Sequence, residues 1–290
     1  MIWNLGSINA DNFYRLTHLP GPGETIAAEA FHQGLGGKGA NMSVAAARGA
    51  ARVSHIGAVG ADGRWATDRL LEYGVETQHI HVAGVATGHA NINVDAAGEN
   101  NIVLFPGANH AITDQMIGAA LAEASPGDIL LMQNETCGQV YAAQTAKTLG
   151  LRFVYAAAPF SAEAVRAVLS YVDLLVLNEV EAGQLETALD TSIEALGVED
   201  VVITLGGDGC KWVSNKAKEA KSFPAYPVDV VDTTGAGDTF TGYLVAGLDR
   251  GMPMEAALRL AMQAGALMVS RQGTADVIPD LKEIQDAGFS

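Results

Sequence analysis

Basic side chains are scarce in this sequence. Lysine and arginine together number 17 against 33 aspartates and glutamates, a formal net charge of −16 at pH 7. That balance leaves no cationic stripe to neutralise a phosphate backbone, which excludes a nucleic-acid groove. A small anionic substrate would need a local positive spot instead. Cysteine is almost missing: Cys137 and Cys210 are the two. They are too few for a disulfide framework, point to a reducing cytosol, and read as buried small residues. No uncharged apolar run reaches the roughly 18 residues of a membrane span. No basic stretch precedes Ile2–Gly6, which reads as a first strand rather than a leader peptide. The seven histidines show no metal-ligand spacing, and His79 and His81 read as strand surface. Repeats, low-complexity tracts and linkers are also lacking. One α/β domain over residues 1–290 is therefore expected.

What is present is apolar residue and glycine. Hydrophobic residues make up 49% of the chain, and there are 33 glycines. A large core and many tight strand–helix turns follow. Strand-like and helix-like stretches alternate. Strands are expected at Ile2–Gly6, Val53–Val59, Ile129–Gln133, Phe153–Ala156, Asp173–Leu177 and Val201–Leu205. Helices are expected at Ala40–Ala50, Arg64–Tyr73, Thr113–Ala124, Gln139–Leu149, Ala162–Ser170, Glu179–Ala188, Gly237–Arg250 and Met254–Ser270. Thr113 is placed to cap its helix. This order predicts a mostly parallel sheet with helices on both faces. Glu24–Phe31 and Ala90–Phe105 alternate without an intervening helix, the second around a turn at Gly98-Glu99-Asn100. They predict a small β-layer, with lid strands inserted at about 11–34 and 86–106.

The most informative run is Asp232-Thr233-Thr234-Gly235-Ala236-Gly237-Asp238, between a valine-rich stretch read as a strand, Val228–Val231, and an apolar helix. Gly235, Ala236 and Gly237 leave bare backbone N–H groups at a helix start, which is an anion site. Asp238 sets a carboxylate beside it. An anion hole next to a base suits phosphoryl transfer to an alcohol. Asp238 as a plain helix cap and the glycines as packing are the bland readings, and cap and base are compatible.

Other segments offer polar groups at strand ends. Gly36-Gly37-Lys38-Gly39-Ala40-Asn41 lacks Walker A spacing but suits polyol hydroxyls: a backbone that can approach closely, a point charge and an amide. Asn9 and Asp11 alternate onto one face just past the first strand, where ligands bind in open α/β sheets. Glu135 stands likewise after strand 129–133. Asn178 and Glu181, at i and i+3, could order waters around Mg²⁺. Thr204 to Gly209 can pass close to a nucleotide. Each has an ordinary turn or cap as its alternative.

Taken together these segments resemble the ribokinase (PfkB-type) family of sugar kinases. Gly36–Asn41 continuing to Gly60, Asp232–Leu244 and Asn178-x-x-Glu181 carry the resemblance, which spans nearly the whole chain. It implies a ribokinase-like fold with a β-lid that also serves as a homodimer interface. It implies Asp238 as catalytic base and Gly235, Ala236 and Gly237 as anion hole. Asn9, Asp11, Gly37, Lys38, Asn41 and Glu135 would hold the sugar. Asn178, Thr204, Gly206, Gly209 and Gly237 would line the ATP site, with Glu181 organising Mg²⁺. A K⁺ ion would lie by Asp232 and Thr234, with the backbone of Met268, Arg271 and Gly273. Val277 departs from the pattern, because a serine is usual there and valine cannot coordinate a cation. K⁺ dependence is therefore in doubt.

The function expected is ATP-dependent phosphorylation of a primary hydroxyl, on ribose or a close furanose. Fructose, a 2-keto-3-deoxy acid or a nucleoside are alternatives within the same fold. A non-catalytic binder is disfavoured by Asp238, since a binder needs no base. A dinucleotide oxidoreductase is disfavoured because no Gly-x-Gly-x-x-Gly follows the first strand.

Overall fold

The computed structural model describes residues 1–289. Its first strand already shows how the layers divide. β1 (Ile2–Leu5) turns Ile2 toward one apolar cluster and Trp3 and Leu5 toward another. That is the two-residue alternation of a strand covered on both faces.

The elements follow in chain order. After β1 come β2 (Asn9–Arg15), β3 (Ala30–Gly36), α1 (Lys38–Arg48), β4 (Val53–Val59), α2 (Arg64–Glu72) and β5 (Ile80–Val82). Then come β6 (Gly88–Val94), β7 (Asn100–Phe105), α3 (Asp114–Leu121), β8 (Ile129–Met132), α4 (Gln139–Leu149) and β9 (Arg152–Ala156). Next are α5 (Ala162–Val168), β10 (Leu174–Asn178), α6 (Glu179–Leu189) and β11 (Asp200–Thr204). The chain closes with β12 (Cys210–Ser214), β13 (Glu219–Phe223), α7 (Ala236–Asp249), α8 (Met254–Val269) and α9 (Leu281–Asp286).

Nine strands form the main sheet in the order β13-β12-β11-β10-β9-β8-β1-β4-β5. The run from β11 to β5 is parallel, and β12 and β13 add an antiparallel edge. Helices α1, α2, α7 and α8 contribute to one core cluster, and α3 to α6 to the other. The expected α/β architecture is therefore what is found. Thr113 caps α3 as expected, its hydroxyl accepting from the Met116 N–H at 3.3 Å.

The second sheet has four strands in the order β3-β2-β6-β7. It is mixed: β2 and β6 run parallel, while β3 and β7 are antiparallel to their neighbours. Asp11, Ala90 and Leu104 lie in register across it and share a face, as do Phe13, Ile92 and Ile102.

Several readings of the sequence are refined or corrected. Asn9 and Asp11 do follow the end of β1 on one face, but as the opening of a separate strand, β2 of the small sheet. Glu24–Phe31 is mostly loop, and the strand there is Ala30–Gly36. Val228–Val231 joins no sheet: Pro227 lacks an N–H to donate, and the Val231 N–H is taken by Val269 O at 2.8 Å. The β12–β13 hairpin was not anticipated, since its exposed edge strand has a mixed, charged sequence. His79 falls in a turn, whereas His81 is in β5. Cys210 is buried, but Cys137 is only half-buried. No helix among the described residues is long and apolar enough to cross a membrane.

Candidate active site

The site begins with two helices that touch. A Cβ on Gly242 of α7 would stand 2.5 Å from Ala45 Cβ and 2.6 Å from Met42 O of α1. Only glycine permits that approach, and it brings the two helix starts side by side. Asn41 Nδ2 then donates to Asp238 Oδ2 at 2.9 Å, and Lys38 Nζ stands 4.0 Å from Asp238 Oδ1. Asp238 is buried, in the first turn of α7. Burial pushes its pKa up, Lys38 and the Asn41 hydrogen bond pull it back, and Glu135 adds a smaller upward push. Lys38 is raised in turn, chiefly by Asp238 and against its own desolvation. Asn41 Oδ1 is buried with no donor among the described residues.

Gly235 precedes α7 in the left-handed region, at φ 72°. Asp232 sets up the turn, its Oδ1 accepting from the Thr234 N–H at 2.9 Å. The first N–H groups of α7, including those of Gly237 and Asp238, have no intrahelical acceptor and point out of the helix start. Asp238 stands beside that helix start, but the Ala236 N–H is taken by Thr233 O at 3.2 Å, which leaves the Gly237 and Asp238 N–H groups to face an anion.

The floor is the loop from β3 into α1. Gly37 has φ 92°, and a Cβ on Gly39 would stand 2.4 Å from Gly6 Cα. Glu135 Oε2 accepts from the Lys38 N–H at 3.1 Å and from Ser7 Oγ at 2.5 Å. Glu135 therefore braces the loop through one oxygen, and its other oxygen has no hydrogen-bond partner among the described residues. Beneath it runs a buried polar chain. Asn4 Nδ2 donates to Gly39 O and Ser43 Oγ, both at 2.8 Å, Ser43 meets His55 Nδ1 at 2.8 Å, and His55 Nε2 meets Gly6 O at 3.0 Å. Burial lowers the His55 pKa to about 4, so the ring is neutral and can serve as donor at one nitrogen and acceptor at the other. Sequence reading passed over Asn4, Ser7, Ser43 and His55, and four polar residues facing a core were the available signal.

Asp11 overhangs Gly36, where a Cβ would fall 1.9 Å from its Oδ2. Burial first, then the charges of Glu135 and Asp238, raise the Asp11 pKa to about 7. Asn9, Asp11, Gly37, Lys38, Asn41, Glu135 and Asp238 thus belong to one region.

A cleft of about 350 Å³ adjoins it. Its lining includes Thr204, Gly206 and Gly209 on one side and Ala236 and Gly237 on the other. Tyr226, Val228, Val230, Phe240 and Met262 also line it, and sequence reading had not marked them as site residues. Asn178 and Glu181 stand apart from that lining. They form the capping box of α6: Asn178 Oδ1 accepts from the Glu181 N–H, and Glu181 Oε2 from the Asn178 N–H, each at 2.8 Å. Glu181 Oε1 has no hydrogen-bond partner among the described residues. Burial raises the Glu181 pKa, while the Asn178 N–H and the Lys38 charge lower it.

The suggested monovalent-cation residues also converge, with a different chemistry. Asp232 Oδ2 accepts from the Gly273 N–H at 3.3 Å, and Met268 O accepts from the Arg271 N–H at 3.1 Å. The Arg271 guanidinium donates to Val277 O at 3.1 Å and pairs with Glu283 at 2.7 Å. Val277 presents methyl groups toward Gly273. Several of the oxygens a cation would need are already engaged, and Val277 adds no side-chain oxygen. This donor set does not fit a dehydrated K⁺ as it stands.

A parallel α/β sheet with an inserted β-layer and a helix-start anion site beside a buried carboxylate is the layout of a carbohydrate kinase. The family model described as pfkB family carbohydrate kinase matches residues 2–281, and the chain belongs to that family. A ribokinase of Haemophilus influenzae is 36% identical over 295 residues, covering 96% of this chain and 95% of that protein. A deoxyribokinase of Salmonella typhi is 30% identical, covering 97% and 96% respectively. The structure of Arabidopsis thaliana ribokinase complexed with ribose and ATP superposes with a TM-score of 0.87 at 28% identity, covering 100% of this chain and 99% of that one.

Proposed function

We propose that this chain transfers the γ-phosphoryl group of ATP to the primary hydroxyl of ribose, giving ribose 5-phosphate and ADP. The observation that carries the reading is Asp238, a buried carboxylate 2.9 Å from Asn41 at the start of α7. As base, Asp238 takes the hydroxyl proton while the oxygen forms a bond to the γ-phosphorus and the bond to the β-phosphate oxygen breaks. Burial raises its pKa and makes it a stronger base, while the Lys38 charge favours its ionised form. The N–H groups of the Gly235–Gly237 turn hold the charge on the moving phosphoryl. Asn9, Asp11, Gly37, Lys38, Asn41 and Glu135 hold the sugar, and the cleft past Thr204, Gly206 and Gly209 takes the nucleotide. Mg²⁺ neutralises phosphate charge when bound; the free oxygen of Glu181, fixed by Asn178, is the group here that fits its hydrated shell. K⁺ has no part in this transfer, because the residues around Asp232 do not fit it.

The small sheet acts as a lid within one domain spanning 1–290, excluding water when sugar binds. Exposed Ile102 and Leu104, at 54% and 57%, support a homodimer through this sheet.

Asp238→Asn keeps the shape and deletes the base. Turnover should fall at least about a thousandfold with ribose binding nearly intact. Unchanged turnover would remove Asp238 from the role. The similarity to a deoxyribokinase favours 2-deoxyribose as the second reading. A coupled ATP-consumption screen over pentoses, hexoses, keto-deoxy acids and nucleosides separates them.

A further inference from the structure

Asn109 lies in the 3-10 turn Gly107–His110, where the chain leaves β7 for the main layer. It is 2% exposed. Its Oδ1 accepts from the Ile8 N–H at 2.9 Å, and its Nδ2 donates to Asn9 Oδ1 at 2.8 Å. The two ends of an amide are alike in shape, but here the backbone decides between them. A peptide N–H only donates, so the end of Asn109 facing Ile8 must be oxygen. Its other end is then the NH₂, and Asn9 must meet it with oxygen. The Asn9 NH₂ is left turned away from Asn109. It is not among the buried polar atoms lacking a partner.

The surroundings hold the pair in place. A Cβ on Gly88 would fall 2.2 Å from Asn109 Nδ2 and 2.5 Å from Asn9 Oδ1. Asn9 opens β2 opposite both Gly36 and Gly88, and alternation puts it on the same face as Asp11. Three chain crossings between the two sheets therefore meet at Asn109: Ile8–Asn9, Gly88 and Asn109's own turn.

We propose that Asn109 is a positioning residue for the acceptor-substrate site, locking the Asn9 amide so that the cleft is offered a hydrogen-bond donor. The inference rests on the reading that Asn9 touches the sugar. Asn9 donates a hydrogen bond to a sugar oxygen, and Asp11 beside it accepts one from a sugar hydroxyl. The pair selects a polyol whose oxygens accept from one side and donate to the other. An Asn9 turned the other way would offer two acceptors in a row, and a hydroxyl has one proton to give.

Asn109→Asp keeps the shape and reverses this logic. One carboxylate oxygen still accepts from Ile8. The other has no proton, so Asn9 turns its NH₂ inward and its oxygen to the cleft. Steady-state kinetics at pH 8 should show the KM for D-ribose raised at least about tenfold, with the KM for ATP within about twofold. In an Asn9→Ala background the same substitution should change the ribose KM less than about twofold, because Asn109 acts through Asn9. An unchanged ribose KM in Asn109→Asp overturns the proposal. So does an equal rise in the Asn9→Ala background, which would mark a general structural effect. An unchanged ribose KM in Asn9→Ala itself overturns the sugar-site reading beneath the proposal. Should Asn109→Asp not fold, Asn109→Ala frees the Asn9 amide to turn. The ribose KM should then rise about fivefold with the ATP KM constant, and no rise overturns the proposal.

Discussion

Asp11 and His55 are buried groups whose titrations pull stability in opposite directions. Asp11 is raised from 3.8 to about 7, so between those values the folded chain holds a proton that the unfolded chain has released. Stability from this group is present at low pH and is lost as pH rises toward 7. His55 is lowered from 6.5 to about 4, so there the unfolded chain holds the extra proton. Its contribution is present above 6.5 and lost as pH falls toward 4. Asp11→Asn removes the first effect alone. Thermal unfolding should show the variant gaining on the parent by at least about 3 °C between pH 5 and pH 8. An unchanged difference would mean that Asp11 is not desolvated as described. Ribose KM follows the same titration. In the parent it should rise as pH falls from 8 to 6 and Asp11 loses acceptor capacity, and in Asp11→Asn that change should flatten.

The contact of α1 with α7 is the element on which the site geometry depends. Gly242→Ala adds a methyl group against Met42 O and Ala45, an overpacking that costs about 1–3 kcal/mol. Because it spreads the helices bearing Asn41 and Asp238, kcat should fall at least about tenfold while the nucleotide KM stays near normal. A stability loss with full kcat would show that the register of the two helices does not matter. This contact also separates what could be read from the sequence from what could not. The helices themselves were legible from their 3.6-residue periodicity, and Asp238 from its place after Gly235-Ala236-Gly237. Gly242 looked like any helical glycine, because its reason lies on another element almost 200 positions away. Asn4, Ser43 and His55 were hidden for the same cause: each polar group is paired only in three dimensions. Val228–Val231 misled because β-branched composition was read without the N–H that Pro227 lacks and without a neighbouring strand to pair with.

At the scale of the whole molecule, two expectations concern ions and copies. Val277 and the engaged carbonyls near Asp232 predict weak stimulation by K⁺, less than about twofold in activity assays with K⁺ exchanged for a large organic cation. Val277→Ser should increase that response; a strong K⁺ requirement in the parent would contradict the argument. Leu104→Glu places a charge on the exposed face of β7. In light scattering the parent should run at about twice its 30.1 kDa chain mass and the variant at that mass. A monomeric parent would remove the homodimer.

The crossings around Asn109 also bear on how the molecule is made. β2 leaves the ribosome near the beginning of the chain, yet its parallel neighbour is β6, some eighty residues later, after β4, α2 and β5. One lid strand, β2, must wait with β3 on one side and nothing on the other while the chain between β3 and β6 folds into a growing core. Long loop closure is slow and its reward is deferred. The lid thus acquires its register later than the β1–β4 pair of the main sheet. Its amides should gain protection from hydrogen exchange after those of the β1–β4 pair, which closes a loop of only about fifty residues, in a refolding experiment.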